Sequence, residues 1–288
     1  MLDAQRQFWR LPLPELSLAE IEDNLFKSLG GQENLQPVLP HRIESLDSGT
    51  KIFRGRAVEK TSSDDNQLKF CATAGEYYAA PAAVSREGRL NSDRESVFYG
   101  SIKTYPIPDE LSVGVGDRLV IGAFETKLDL KLIQLVPDFI FDNLDSKLRL
   151  IAKLQLGFIE RLVTVPHGKS SGHAYRLTHH LTRSYFSLSH FDVDGWIFPS
   201  AFDFSQSNVA FPGEHVGDFL RLTHSGLFEF EATGLGLRSA IPYALFRFGS
   251  SITTGVQILP QALAIPELIR VFGGQVGPLD PANMNDRK

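Results

Sequence analysis

The sequence predicts an α+β fold, and three observations lead there. Runs rich in β-forming residues come first, long helical patterns follow, and short strand-like runs return near the end. That order is not the regular βαβ alternation of a doubly wound sheet. The glycine signature of a dinucleotide-binding βα turn is missing: Gly234-Leu235-Gly236-Leu237-Arg238-Ser239 comes nearest, but it lacks the third glycine and lies late in the chain. Finally, 288 residues with 42% hydrophobic content can bury one large core, or one core with a small appendage.

Along the chain, Ser17-Leu18-Ala19-Glu20 is a capping box. It starts a helix that Gly30 and Gly31 stop, and Leu18, Ile21, Leu25 and Leu29 give that helix one apolar face. Residues 32–49 are polar and proline-containing and read as a connector. Residues 50–58 read as a strand, 61–67 as a turn, and 96–101 as a short strand. Residues 118–124 and 128–135 read as two strands of a hairpin with Glu125-Thr126-Lys127 as its loop. Residues 145–162 are the clearest helix, with Leu148, Ile151, Gln155, Phe158, Ile159 and Leu162 tracing its faces. A second helix covers 172–188, followed by short strands at 195–198, 208–211, 219–223 and 227–232. Residues 259–272 read as a helix broken by Pro260 and Pro266, and the tail from Gly277 as frayed.

Composition narrows the functional classes. A net charge of −5 gives no electrostatic reason to expect direct nucleic-acid binding. With Cys71 as the single cysteine, no intramolecular disulfide and no cysteine-rich zinc site can form. The first ten residues hold Asp3, Arg6 and Arg10 and no apolar stretch, so they do not read as a signal peptide. No run approaches the roughly 18 apolar residues of a spanning helix. The expectation is a cytoplasmic protein that does not engage a membrane.

The most informative segment is Gly88-Arg89-Leu90-Asn91, then Ser96-Val97-Phe98-Tyr99-Gly100-Ser101, then Glu110. It combines a cation in a glycine-flanked turn, an aromatic residue on a short strand and a carboxylate. Each has a use on a dinucleotide. Arginine holds a pyrophosphate bidentately, tyrosine stacks or offers its hydroxyl, and a carboxylate steadies an oxocarbenium-like centre and holds a ribose hydroxyl. The plain alternative is that Arg89 solvates a loop, Tyr99 fills core and Glu110 caps a helix.

This segment resembles the RES family, named for its Arg, Glu and Ser. Further landmarks follow in order: Phe53-Arg54-Gly55-Arg56, Gly116-Asp117-Arg118-Leu119-Val120 with Leu128-Asp129-Leu130-Lys131-Leu132, and Asp194-Gly195-Trp196-Ile197-Phe198-Pro199-Ser200 with Asn208-Val209-Ala210-Phe211 behind it. The likeness covers about residues 50–211. It implies an ADP-ribosyltransferase-like RES fold with an N-terminal helical extension at 1–45, a catalytic domain at 50–232 and a C-terminal extension at 233–288. It also implies an enzyme that degrades NAD by hydrolysis or phosphorolysis, with no metal expected. Arg54, Arg89 and Asn208 would bind substrate, and Glu110, Tyr99 and Ser200 would be catalytic. RES proteins are typically toxins of toxin–antitoxin pairs, so a small helix-turn-helix antitoxin is the implied partner. The other readings are ADP-ribose transfer to a macromolecule, or a non-catalytic module binding a nucleotide or a partner. The family leads into its Glu on a helix. Here Pro106 and Pro108 exclude an ordinary helix interior before Glu110, and Asp109 is the alternative carboxylate.

Two further patterns read as coincidence. Gly168-Lys169-Ser170-Ser171-Gly172 fits the G-x-S-x-G nucleophile elbow, with Asp192 or Asp194 and His215 or His224 to complete a triad. However, Val163-Thr164-Val165-Pro166 is too short to be the strand that must feed an elbow, and the same stretch lacks the first glycine of a P-loop. His173, His179 and His180 lack a carboxylate at ligand spacing, and Trp196 reads as core.

Overall fold

The structure, a computed structural model, describes residues 1–12, 15–33, 35, 37–58, 63–137, 144–164, 172–203, 205–232, 238–248 and 270–272. Among these, nine strands form one sheet in the order β1-β5-β6-β7-β3-β2-β4-β8-β9. They are β1 (Arg42–Leu46), β2 (Lys51–Val58), β3 (Val97–Ser101), β4 (Arg118–Thr126), β5 (Leu130–Gln134), β6 (Gly195–Pro199), β7 (Ser207–Pro212), β8 (Leu220–Ala232) and β9 (Arg238–Arg247). Only the β5–β6 pair is parallel; the rest are antiparallel. With its helices, the chain is α+β.

Period-two alternation sorts the strand side chains into separate cores. Ile133, Trp196 and Phe198 face one side, where helices α1 (Leu2–Phe8), α2 (Leu18–Ser28), α5 (Ser146–Thr164) and α6 (Gly172–Tyr185) contribute Phe8, Leu25, Phe158 and Leu181. Their neighbours Leu132 and Ile197 face the other side, packing with Phe98, Phe124 and Phe211. A third cluster gathers Phe53, Leu119, Ile121, Phe228 and Phe272. Buried amides tie the helical layer: Gln155 Nε2 donates to the Leu29 carbonyl at 2.8 Å, and Gln5 Nε2 to those of Ser28 at 3.0 Å and Leu154 at 3.1 Å.

Several expectations need correction. The two strands read as a hairpin do not pair. β4 runs on through Thr126 between β2 and β8, while β5 lies between β1 and β6. Thr126 is held in the β4 ladder, its Oγ1 accepting from Thr50 N at 2.9 Å and donating to the Asp47 carbonyl at 2.7 Å, so the would-be loop is strand. The 61–67 turn is largely α3 (Asp64–Ala72); Ser63 caps it by accepting from Asn66 N, and the acidic first turn suits its dipole. Residues 61–62 lie outside the described residues. The 32–49 connector contains β1, which registers Ile43 with Ile133 and Leu46 with Leu130. The two strands expected at 219–223 and 227–232 are one, β8 from Leu220; His224, Ser225 and Gly226 between them pair in register with Ala123, Gly122 and Ile121 of β4. Leu148, placed on a helix face, is 50% exposed, whereas Phe158, Ile159 and Leu162 are buried. Trp196 is core, its Nε1 donating to the Phe186 carbonyl at 2.9 Å. The G-x-S-x-G stretch before Gly172, most of 259–272 and the tail lie outside the described residues. Among the described residues no helix is long and apolar enough to cross a membrane.

What positions the site is the join between β2 and β3. A single register pair, Phe53 with Ser101, links them, whereas β2 matches β4 along its whole length and β3 matches β7. Beyond that pair the two strands part, and a cleft opens between them.

Candidate functional site

The cleft has a volume of about 520 Å³ and is lined from both sides of this parting: Arg54 and Gly55 of β2, and Tyr99 and Ser101 of β3. Arg89, Glu110, Phe198 and Asn208 add to the polar and aromatic lining. Five of the six residues expected at the site therefore share one cavity, and the sixth, Ser200, is hydrogen-bonded to one of the five.

Glu110 is brought in by a short helical turn, α4 (Ile107–Glu110). The two prolines do not prevent it. Pro106 is the N-cap and Pro108 the second helical residue, where no intrahelical N–H is needed, so both sit where proline is tolerated. The turn closes through Glu110 N to the Pro106 carbonyl at 3.1 Å. It packs on β2 at Gly55, where an added Cβ would lie 2.1 Å from Ile107 Cγ2, so only glycine lets α4 approach this closely. Asp109, the alternative carboxylate, does not line the cleft.

The Glu110 carboxylate is oriented by two neutral donors. Ser200 Oγ and Asn208 Nδ2 each donate to Oε1 at 2.7 Å. Both donors are buried, Ser200 just past β6 and Asn208 on β7. Ser200 Oγ also accepts from Phe202 N at 3.3 Å, so its proton and one lone pair are engaged. Ser200 thus holds the carboxylate rather than acting as a free nucleophile. No hydrogen bond reaches the second Glu110 oxygen among the described residues, and the buried Asn208 Oδ1 likewise has no partner among them.

Two guanidinium groups reach the cavity. Arg54 lies over the Phe98 ring, 4.8 Å from its centroid, and its buried Nη1 has no hydrogen-bond partner among the described residues. Burial first, and then the like charge of Arg56, lower its pKa to about 9, so it remains a cation at neutral pH. A buried cation without a counter-anion is costly and marks a place where an anion would be welcome. Arg89 sits 5.9 Å from the Phe198 ring centroid. Its backbone is fixed instead: Thr178 Oγ1 donates to the Arg89 carbonyl, Gly88 N donates to the Asn91 carbonyl at 3.0 Å, and Leu90 is buried.

Tyr99 belongs to that anchorage. Its hydroxyl donates to Asn91 Oδ1 at 2.7 Å and accepts from Leu90 N at 2.8 Å. The Asn91 amide in turn donates to the carbonyls of Arg86, Ser92 and Glu95. An added Cβ at Gly88 would lie 2.3 Å from Asn91 Oδ1, so this knot also requires the glycine. Burial pushes the Tyr99 hydroxyl well above its ordinary pKa. The ring lines the cleft while the hydroxyl is committed to the Arg89 loop, so Tyr99 is suited to shape the site rather than to exchange a proton.

Tyr175 and Phe202 also line the cleft and were not foreseen. Tyr175 comes from α6, distant in sequence from every motif, and no local signal marks it. Asn91 was part of the motif, but its position after Arg89 does not reveal its role; the reach of Tyr99 across the loop does. Of the histidines, His179 pairs with Glu95 at 3.1 Å and His180 with Glu22 at 3.2 Å, on different partners. His215 is exposed, beside Glu214 and Asp218. No protein-family model and no curated protein matches the chain.

Proposed function

We propose that the protein is an NAD-consuming enzyme with an ADP-ribosyltransferase-like RES fold that cleaves the bond between nicotinamide and ribose. One observation carries the reading: a carboxylate held through one oxygen by two neutral donors shares a cleft with two arginines that have no carboxylate partner among the described residues. NAD has the complementary parts, an anionic pyrophosphate and a ribose that becomes cationic as its base leaves.

In this reading Arg54 and Arg89 hold the pyrophosphate. The free Glu110 oxygen faces the ribose. The C–N bond breaks with its electron pair going to the nicotinamide nitrogen, and the positive charge left on the anomeric centre is stabilised by Glu110. Water or inorganic phosphate then adds to the anomeric carbon and loses a proton. Ser200 and Asn208 keep the carboxylate aimed, and the Tyr99 and Phe198 rings wall the site. Transfer of ADP-ribose to a macromolecule uses the same first step with another acceptor. A helix-turn-helix antitoxin follows from the RES resemblance alone.

The test is to incubate the purified protein with NAD, with and without phosphate, and identify the products. Free nicotinamide with ADP-ribose means hydrolysis, and phosphate-dependent release means phosphorolysis. Nicotinamide with labelled protein means transfer. Binding without release leaves a nucleotide-binding module and overturns the proposal.

A further inference from the structure

A second concavity shares no lining residue with the Glu110 cleft. It has a volume of about 420 Å³ and lies between α1 with the residues just after it and the middle of α5. Four cations line it, Arg6, Arg10, Lys153 and Arg161, and no carboxylate does. In a chain with 29 basic and 34 acidic residues this is a local reversal of charge. Arg6 has the exposed Asp3 3.5 Å away outside the concavity, where solvent screens the pair. Arg161 is stacked 4.2 Å from the Trp9 ring centroid. Gln5, bonded to the Leu154 carbonyl at 3.1 Å, fixes the two walls relative to each other.

The floor gives an independent observation. Gly157 is in the interior of α5, a helix of 19 residues. Glycine there is unfavourable relative to alanine, and an interior helical glycine usually earns its place by close packing. None is present among the described residues: a Cβ at residue 157 would meet nothing of theirs within 4 Å. The missing side chain leaves a trough one turn from Lys153 and from Arg161 on the same helix face. The unexplained glycine and the four cations coincide.

We infer that this trough is a docking site for a carboxylate-rich segment of a partner protein, whose backbone lies over Gly157 while its acidic side chains reach the four cations. Charge complementarity selects an acidic occupant, and the glycine floor selects one that approaches closely. A nucleic acid fits less well, because a long polyanion extends beyond four cations over a chain of net charge −5.

The full chain is titrated into a short fluorescein-labelled oligoglutamate peptide, and anisotropy is followed at low and at physiological salt. The wild type should bind, and more tightly at low salt. Lys153→Glu with Arg161→Glu should weaken binding about tenfold or more. Gly157→Leu changes no charge but fills the trough, and should weaken binding severalfold, while Gly157→Ala should raise the thermal midpoint. The inference is overturned if the peptide does not bind, if Gly157→Leu binds like the wild type, or if an oligothymidylate of equal length binds more tightly than the peptide. A Gly157→Leu chain that cannot fold would also overturn it, because the open space above residue 157 would then not exist.

Discussion

Replacing Arg54 by methionine should make the ligand-free protein more stable and less able to bind its substrate. The guanidinium of Arg54 lies over the Phe98 ring, 4.8 Å from its centroid, while its buried Nη1 has no partner among the described residues. A fall from the ordinary arginine value to about 9 is equivalent to ~4–5 kcal/mol at about 1.4 kcal/mol per pH unit. Solvent reaching the half-buried group reduces this to ~2–3 kcal/mol, and the lost contact with Phe98 returns about 0.5–1 kcal/mol. The net gain of ~1–2 kcal/mol should raise the thermal midpoint by about 2–5 °C for a chain of this size. The sign with pH follows. The folded-state pKa of this base lies below its unfolded value, so the penalty is fully present below pH 9 and is relieved as pH rises through it. The difference in midpoint between Arg54→Met and wild type should therefore hold at neutral pH and shrink in strong alkali. Differential scanning fluorimetry with and without ADP-ribose checks both halves: the ligand should raise the wild-type midpoint and leave that of Arg54→Met almost unmoved. A variant less stable than wild type in the absence of ligand would refute the view of Arg54 as an uncompensated buried cation.

Three further outcomes follow from the same cleft. Glu110→Gln keeps an acceptor for Ser200 and Asn208 but removes the charge, so turnover of NAD should fall about 10²-fold or more with ADP-ribose affinity little changed; Asp109→Asn, outside the cleft, should stay near wild type in the same assay. Arg89→Ala should raise the dissociation constant for ADP-ribose in calorimetry by the equivalent of about 2–3 kcal/mol, and unchanged affinity would remove its phosphate role. Tyr99→Phe leaves the ring but frees Asn91 and the Arg89 loop, so it should raise KM for NAD more than it lowers kcat, and a larger loss in kcat would return the hydroxyl to the chemistry.

Much of this cleft was legible in the sequence because its residues belong to short segments whose local signals are strong. Arg54 lies on a strand, Arg89 in a glycine turn, Tyr99 on a strand, and Asn208 on another, all at the expected places. What misled was local reading of features that tertiary structure decides. Pro106 and Pro108 look like helix breakers, yet the turn they open is so short that both fall in its permissive first positions. Glu125-Thr126-Lys127 looks like a hairpin loop, but Thr126 is claimed by bonds to Thr50 and Asp47, far away in sequence. Tyr99 looks like a residue with a free hydroxyl, and only the fold brings Asn91 and Leu90 to it. β9 follows Gly234 and Gly236 and contains Pro242, all weak strand formers, and its place is set by pairing with β8. The RES resemblance named residues that the fold brings together, without revealing that Ser200 is hydrogen-bonded to Glu110.

The account stands on the claim that Glu110 acts on a ribosyl centre in this cleft. A time course of free nicotinamide, with NAD in large excess over protein, tests it most directly when wild type and Glu110→Gln are run together. Many turnovers are expected of the wild type, and release by the variant should be about 10²-fold slower. Release at equal rates by both proteins, or no release from a wild type that binds ADP-ribose, would contradict it.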